Sequence, residues 1–213
     1  LTKKLYIFSG LGADERAFQG LDFSDYSTIF IKWNAPQYKE SIEDYATRLL
    51  DQITTPKPTL IGLSFGGLMA VEVAKQIETE KVILIASAKS KREIPFYYRV
   101  AGRLGLHKLL PPGLLKKSNF ITNWFFGTSS SYDKKILKQI LIDTDSFFLK
   151  WALDKVARWT NIAQTENVFH IHGANDRILP LSYLNPNEII KNGGHLMTLN
   201  KTTELNNILR QQL

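Results

Sequence analysis

Residues Gly62-Leu63-Ser64-Phe65-Gly66 place one hydroxyl between two glycines, and a third glycine, Gly67, follows at once. A serine hydroxyl is a poor nucleophile unless a base removes its proton. To attack a carbonyl carbon it must also stand clear of its own backbone, close to N–H groups that can hold an oxyanion. A sharp strand-to-helix turn meets both needs, because it lifts the side chain and leaves the first N–H groups of the helix unpaired. Such a turn brings strand and helix close, so the residues two before and two after the serine must be small. The spacing G-x-S-x-G supplies them in the required context, with an apolar strand before and a helix after. Taken alone, the pentapeptide would also suit a glycine-rich structural turn. A phosphate-binding loop is poorly supported, since no Lys-Ser/Thr pair follows the glycines.

The elements around the serine alternate. Leu5–Phe8, Thr28–Trp33, Thr59–Leu63, Lys81–Ala86, Asn167–Ile171 and Glu188–Lys191 are short apolar runs expected as strands. Ser41 followed by Asp44 reads as a helix start, with Ile42, Tyr45, Ala46, Leu49, Leu50 and Ile53 at helical spacing. Further helices are expected over Gly66–Ile77 and from about Lys201 to Leu213. Strand–helix alternation implies a parallel sheet with helices on both faces. The pattern lapses for about eighty residues between Ala86 and Asn167, far more than a strand–helix connection needs. This stretch contains amphipathic helical segments broken at Pro111-Pro112 and Gly127–Ser131.

With these motifs in place, the chain resembles the α/β-hydrolase family over nearly its whole length. The resemblance implies a Ser, Asp or Glu, His order, each residue at the C-terminal end of a strand, where open α/β sheets put their ligand sites. Here that order is met by Ser64, by Asp176 in "HGANDRILP" and by His195 in "NGGHLMTL". Ser64 would be the nucleophile, His195 the base and later the acid, and Asp176 the group that orients the imidazole. The bland alternatives are a turn residue for Asp176 and a helix-start residue for His195. The oxyanion hole is expected from the backbone N–H groups of Phe65 and Leu11. The loop carrying Leu11 reads Ser9-Gly10-Leu11-Gly12, with Ser9 where the family usually has His. The implied fold is an α/β sheet of six parallel strands, trimmed at its start. Residues 1–87 and 161–213 would form the core, with a helical cap inserted at 88–160.

Composition narrows the function classes. Hydrophobic residues make up 44% of the 213, and charged residues 22%, which suits a packed globular domain. The absence of Cys removes thiol nucleophiles and cysteine-rich metal sites, and fits a reducing, cytoplasmic setting. The opening "LTKKLYIFSG" lacks the pattern of a secretion signal, and no apolar run reaches the length of a membrane span. The net charge of +7 is uneven: residues 88–160 hold fourteen Lys/Arg against five Asp/Glu, and the remainder thirteen against fifteen. No nucleic-acid reader motif accompanies this excess. A weak contact between the basic cap and an acidic surface is an expectation, without stable membrane insertion. Residues 88–160 also carry twelve of the 24 aromatic residues, densest at "FITNWFFG", expected mainly as the cap's own core and its seat on the sheet. His170 and His172 share one strand face, but nothing in the sequence completes a metal site around them, so structural hydrogen bonding is expected. His107 falls in a basic segment and is expected at the surface.

The functional expectation is a hydrolase acting on an ester or thioester of a small to medium, partly apolar acyl substrate, without metal or organic cofactor. A slow ligand-binding sensor and a C–C bond hydrolase or lyase with the same triad are the alternatives. A dehalogenase is disfavoured, because that branch of the family has Asp where this chain has Ser64.

Overall fold

The computed structural model of the chain describes residues 2–109, 113, 116–163 and 165–213. The break at Pro111-Pro112 and the side chain of His107 lie outside what is described. Six strands form one sheet: β1 (Lys4–Phe8), β2 (Ser27–Phe30), β3 (Thr59–Leu63), β4 (Lys81–Ile85), β5 (Val168–Gly173) and β6 (Glu188–Ile190). Their order across the sheet is β2-β1-β3-β4-β5-β6. Every neighbouring pair is parallel, as expected from the sequence. β2 is shorter than the apolar run suggested. Its ladder with β1 ends with Ile31 N–H donating to Ile7 O at 2.9 Å. Beyond it the chain leaves the sheet, and Trp33 packs against Phe8 and Phe65.

The sheet is buried because helices cover both faces. Among the described residues, the α-helices between and after the strands include α1 (Ile42–Leu49), α2 (Phe65–Ala74), α3 (Phe96–Arg103), α4 (Phe120–Phe126), α5 (Ser131–Asp143), α6 (Ser146–Arg158), α7 (Met197–Asn200) and α8 (Thr202–Gln212). Alternation along β1 sorts side chains into two cores. Tyr6 and Phe8 join a cluster with Tyr45 of α1, Leu68 and Val71 of α2, and Phe148 of α6. Leu5 and Ile7 join another with Ile136 and Ile140 of α5 and Leu205 of α8. Each fully buried Leu or Ile contributes roughly 1.5–3 kcal/mol, so these two clusters carry most of the driving force.

Local signals set the helix starts. Ser41 caps α1, its Oγ accepting from Asp44 N–H at 2.9 Å. Ser130 caps α5 in a reciprocal arrangement with Asp133. The helix expected from about Lys201 to Leu213 is α8, and a short helix the sequence did not suggest, α7, precedes it with a break at Lys201. α3 to α6 all lie between β4 and β5. α6 is seated on the sheet's helices: Trp159 Nε1 donates to the buried Glu72 carboxylate at 2.7 Å, and Trp151 Nε1 to Glu40 O at 3.3 Å. Here the aromatic residues do form a core. α4 is different: none of its side chains is buried, so Phe120, Ile121, Trp124 and Phe125 face outward, against the expectation that this stretch packs inside.

Two outcomes follow from this packing. A Cβ added at Gly66 would run into the backbone carbonyls of Phe8 and Ser9, which cannot swing aside as a side chain could. Gly66→Ala is therefore expected to destabilise the fold by about 1–3 kcal/mol, read as a lowered urea midpoint; an unchanged midpoint would contradict this packing. The second concerns His170, fully buried on β5 with its ring edge-on to that of His172 at 5.3 Å. Burial, then the adjoining His172 imidazole and the Lys89 ammonium, pushes His170 from 6.5 down to about 3. The unfolded chain takes up this proton first, so folded stability falls as pH drops from 6.5 toward about 3. His170→Phe should flatten that limb of the pH–stability curve, and an unaltered limb would contradict the burial.

Candidate active site

Ser64 follows the last residue of β3 and caps α2 with φ +53° and ψ −121°, a region that L residues rarely occupy. The conformation is over-determined by its neighbours. Ser64 N–H donates to Ile85 O at 3.0 Å, tying the turn to β4. Its own carbonyl accepts from Ser87 Oγ at 2.7 Å and from Gly67 N–H at 2.9 Å. Gly62 packs directly on the backbone of Gly66 and Gly67, so the two ends of the turn touch. The three glycines thus answer to three separate close approaches: Gly62 to α2, Gly66 to β1 and Gly67 to Ser87.

Asp176 and His195 come from the two neighbouring strand ends. The loop after β5 and the loop after β6 are joined by Asn175 N–H donating to Gly193 O at 2.8 Å, with Gly173 stacked on Gly193. α4 braces the same loop: Leu196 N–H donates to Phe126 O at 3.0 Å, and the Phe126 ring is 5.8 Å from the imidazole of His195. These contacts bring together the three residues singled out in the sequence. His195 Nε2 lies 2.7 Å from Ser64 Oγ, and His195 Nδ1 lies 2.7 Å from Asp176 Oδ2.

Asp176 is nearly fully buried. Burial pushes its carboxyl upward, but the charge and hydrogen bond of His195, then His172 and the Leu179 N–H, outweigh this and hold it below the ordinary aspartate value. Its Oδ1 accepts from the N–H groups of Ile178 at 2.8 Å and Leu179 at 2.9 Å. An ionised carboxylate can only accept, so Nδ1 of His195 carries the proton and Nε2 is free to accept from the serine hydroxyl. This is the tautomer a general base needs.

A fourth side chain joins this cluster that the sequence did not assign to it. His172 Nε2 is 2.8 Å from Leu179 O and 3.3 Å from Asp176 Oδ2. A carbonyl only accepts, so His172 is protonated at Nε2 and donates that N–H to Leu179 O, with the Asp176 carboxylate beside it. Burial pushes its pKa down, against the pull of Asp176 and Leu179, so it is a neutral donor. The only sequence signal for it was the shared face of His170 and His172 running into the Asp176 loop.

The side expected to hold an oxyanion lies at the turn after β1. Gly10 faces the Ser64 Cβ and the Leu63 carbonyl, which places the Ser9–Gly12 loop beside the nucleophile. Among the described residues, neither Leu11 N–H nor Phe65 N–H, the first of α2, meets an acceptor. Ser9, where a family His was expected, is buried, and its Oγ accepts from Trp33 Nε1 at 3.1 Å. The loop is therefore supported by a tryptophan from the segment after β2.

Comparison with known proteins agrees with this architecture. No curated protein is matched by the chain. Among solved structures, the bromoperoxidase from Bacillus anthracis is 17% identical, with 100% of this chain and 92% of that chain covered at a TM-score of 0.68. A lipase-esterase related protein from Clostridium acetobutylicum ATCC 824 is 16% identical, with 100% and 95% covered at a TM-score of 0.70. The esterase EaEST from Exiguobacterium antarcticum is 15% identical, with 98% and 91% covered at a TM-score of 0.70. At such identities the likeness is one of fold. A model of the alpha/beta hydrolase family matches residues 8–207, from the end of β1 into α8. Spanning the sheet, the serine turn and both partner loops, that match establishes that the chain belongs to the alpha/beta hydrolase family.

Proposed function

We propose that the chain is a serine hydrolase that cleaves an ester or thioester through an acyl-enzyme, with Ser64, His195 and Asp176 as its triad. The observation that carries this reading is the continuous hydrogen-bonded chain Asp176–His195–Ser64, with 2.7 Å at each of its two links. Ser64 Oγ attacks the acyl carbon while its proton passes to His195 Nε2. Asp176 stabilises the imidazolium that results, without itself taking the proton. The tetrahedral oxyanion is held by the N–H groups of Leu11 and Phe65. Each such donor is worth roughly 2.7–4 kcal/mol in the transition state. His195 then returns the proton to the leaving group, the leaving group departs, and water repeats the sequence on the acyl-enzyme.

In this reading α3 to α6, within residues 88–160, form a cap over the site. Burial, then Tyr97 and the nearby Asp176 charge, raises the Tyr98 phenol to about 12. Phe126 contacts His195. These neighbours give the site an apolar wall on the cap side, which favours an acyl group over a highly charged substrate.

The reading is tested by active-site labelling. A fluorophosphonate probe should add covalently at Ser64, with the adduct located by peptide mass spectrometry and absent from Ser64→Ala. Hydrolysis of a short nitrophenyl ester should fall by about 10³-fold or more in His195→Ala. A folded wild-type protein that stays unlabelled, or that is labelled equally in Ser64→Ala, would favour the slow ligand-binding alternative.

A further inference from the structure

Between Glu93 and Asp133 the chain runs 39 residues without a single carboxylate, while carrying Arg99, Arg103, Lys108, Lys116 and Lys117. The same stretch holds eleven of the sixteen large apolar side chains that are exposed among the described residues. Sequences that merely solvate a face do not combine these two features. A solvated face mixes both signs of charge, and a packing face buries its apolar groups. The combination is most acute at α4. Five of its seven residues are Phe, Ile or Trp, and none is buried. Phe120 is 83% exposed and Ile121 62%, and the loop leading to them carries Lys116 and Lys117. One turn further along the helix Arg177 stacks on the Trp124 ring, 4.3 Å from its centroid, and donates to Trp124 O at 2.7 Å.

We infer that this face is a docking surface for an anionic phospholipid membrane, with the Phe120 and Ile121 side chains entering the headgroup boundary and the flanking cations meeting the phosphates. Exposed aromatic and aliphatic groups with a cationic surround, and no anionic residue to repel the lipid, are what an interfacial segment requires. No helix among the described residues is long and apolar enough to cross a membrane, so the contact is peripheral. The charge decides the occupant. A second copy of the chain would set Lys116 and Lys117 against their own counterparts, which disfavours self-association through this face. The position adds a consequence: α4 ends at Gly127, whose backbone packs on Gly194 next to His195, so the docked face adjoins the candidate site.

The test is sedimentation of the full chain with unilamellar vesicles of phosphatidylglycerol and phosphatidylcholine, against phosphatidylcholine alone. The chain should pellet with the anionic vesicles only and be released near about 1 M salt, where charges are screened within a few ångströms. Phe120→Asp/Ile121→Asp should weaken vesicle binding by about tenfold or more. Neither side chain is buried, so thermal unfolding should be unchanged. Lys116→Glu/Lys117→Glu should weaken binding to the anionic vesicles without changing thermal unfolding. Wild-type chain left in the supernatant at low salt would overturn the proposal. So would equal pelleting with both vesicle types, or binding that survives Phe120→Asp/Ile121→Asp. Equilibrium sedimentation gives the remaining outcome: self-association abolished by the same double substitution would assign the face to a second copy instead.

Discussion

The backbone of Ser64 is held where a serine would not go by itself. A non-glycine residue at φ +53° costs on the order of 1–3 kcal/mol, and it persists only because its surroundings leave no alternative. Ile85 O, Ser87 Oγ and Gly67 N–H fix the turn from three directions. The close approach of Gly66 to β1 fixes it from a fourth. Any side chain at Gly62 or Gly66 would push α2 away from the sheet, relax the turn and carry the hydroxyl away from the imidazole. The core residues on either side, from Leu60 to Leu68, would serve the proposed chemistry indirectly by opposing that relaxation.

The second constraint is electrostatic. A carboxylate buried as deeply as Asp176 would take up a proton unless enough donors converge on it. Here three do: two backbone N–H groups on Oδ1, and the Nδ1–H of His195 on Oδ2, with the His172 ring close by. The arrangement keeps the charge, fixes the imidazole tautomer and leaves His195 Nε2 aimed at Ser64. His172 shares in this without being ionised, which avoids a second positive charge beside the imidazolium that catalysis would form. Trp33 has a comparable supporting place on the opposite side, where its indole N–H holds Ser9 and, through it, the loop that presents Leu11.

Much of this was legible along the chain because it is locally encoded. The glycine spacing around Ser64, the alternation of strands and helices, and the cap at Ser41 each depend on a few consecutive residues. The order Ser64, Asp176, His195 at three separate strand ends placed the partner loops before any distance was known. What escaped was set by contacts between distant segments. "TIFIKW" looks like a strand to its end, yet it leaves the sheet after Ile31 and Trp33 turns over Ser9, a choice no local pattern signals. His172 read as one of a strand-face pair, because its tie to Asp176 depends on how the following loop folds back. "FITNWFFG" read as core, because apolar composition reports a need for burial without saying whether the partner belongs to the same chain.

The chain of hydrogen bonds from Asp176 to Ser64 is the arrangement on which the turn, the loops and the chemistry converge, and proton NMR observes its central link directly. The Nδ1–H of His195, locked 2.7 Å from a buried carboxylate, should resonate far downfield of the amide and indole protons. It should vanish in His195→Gln and move upfield in Asp176→Asn. A folded protein with no such resonance, or one whose downfield signal survives His195→Gln, would show that the imidazole is not held between the carboxylate and the hydroxyl.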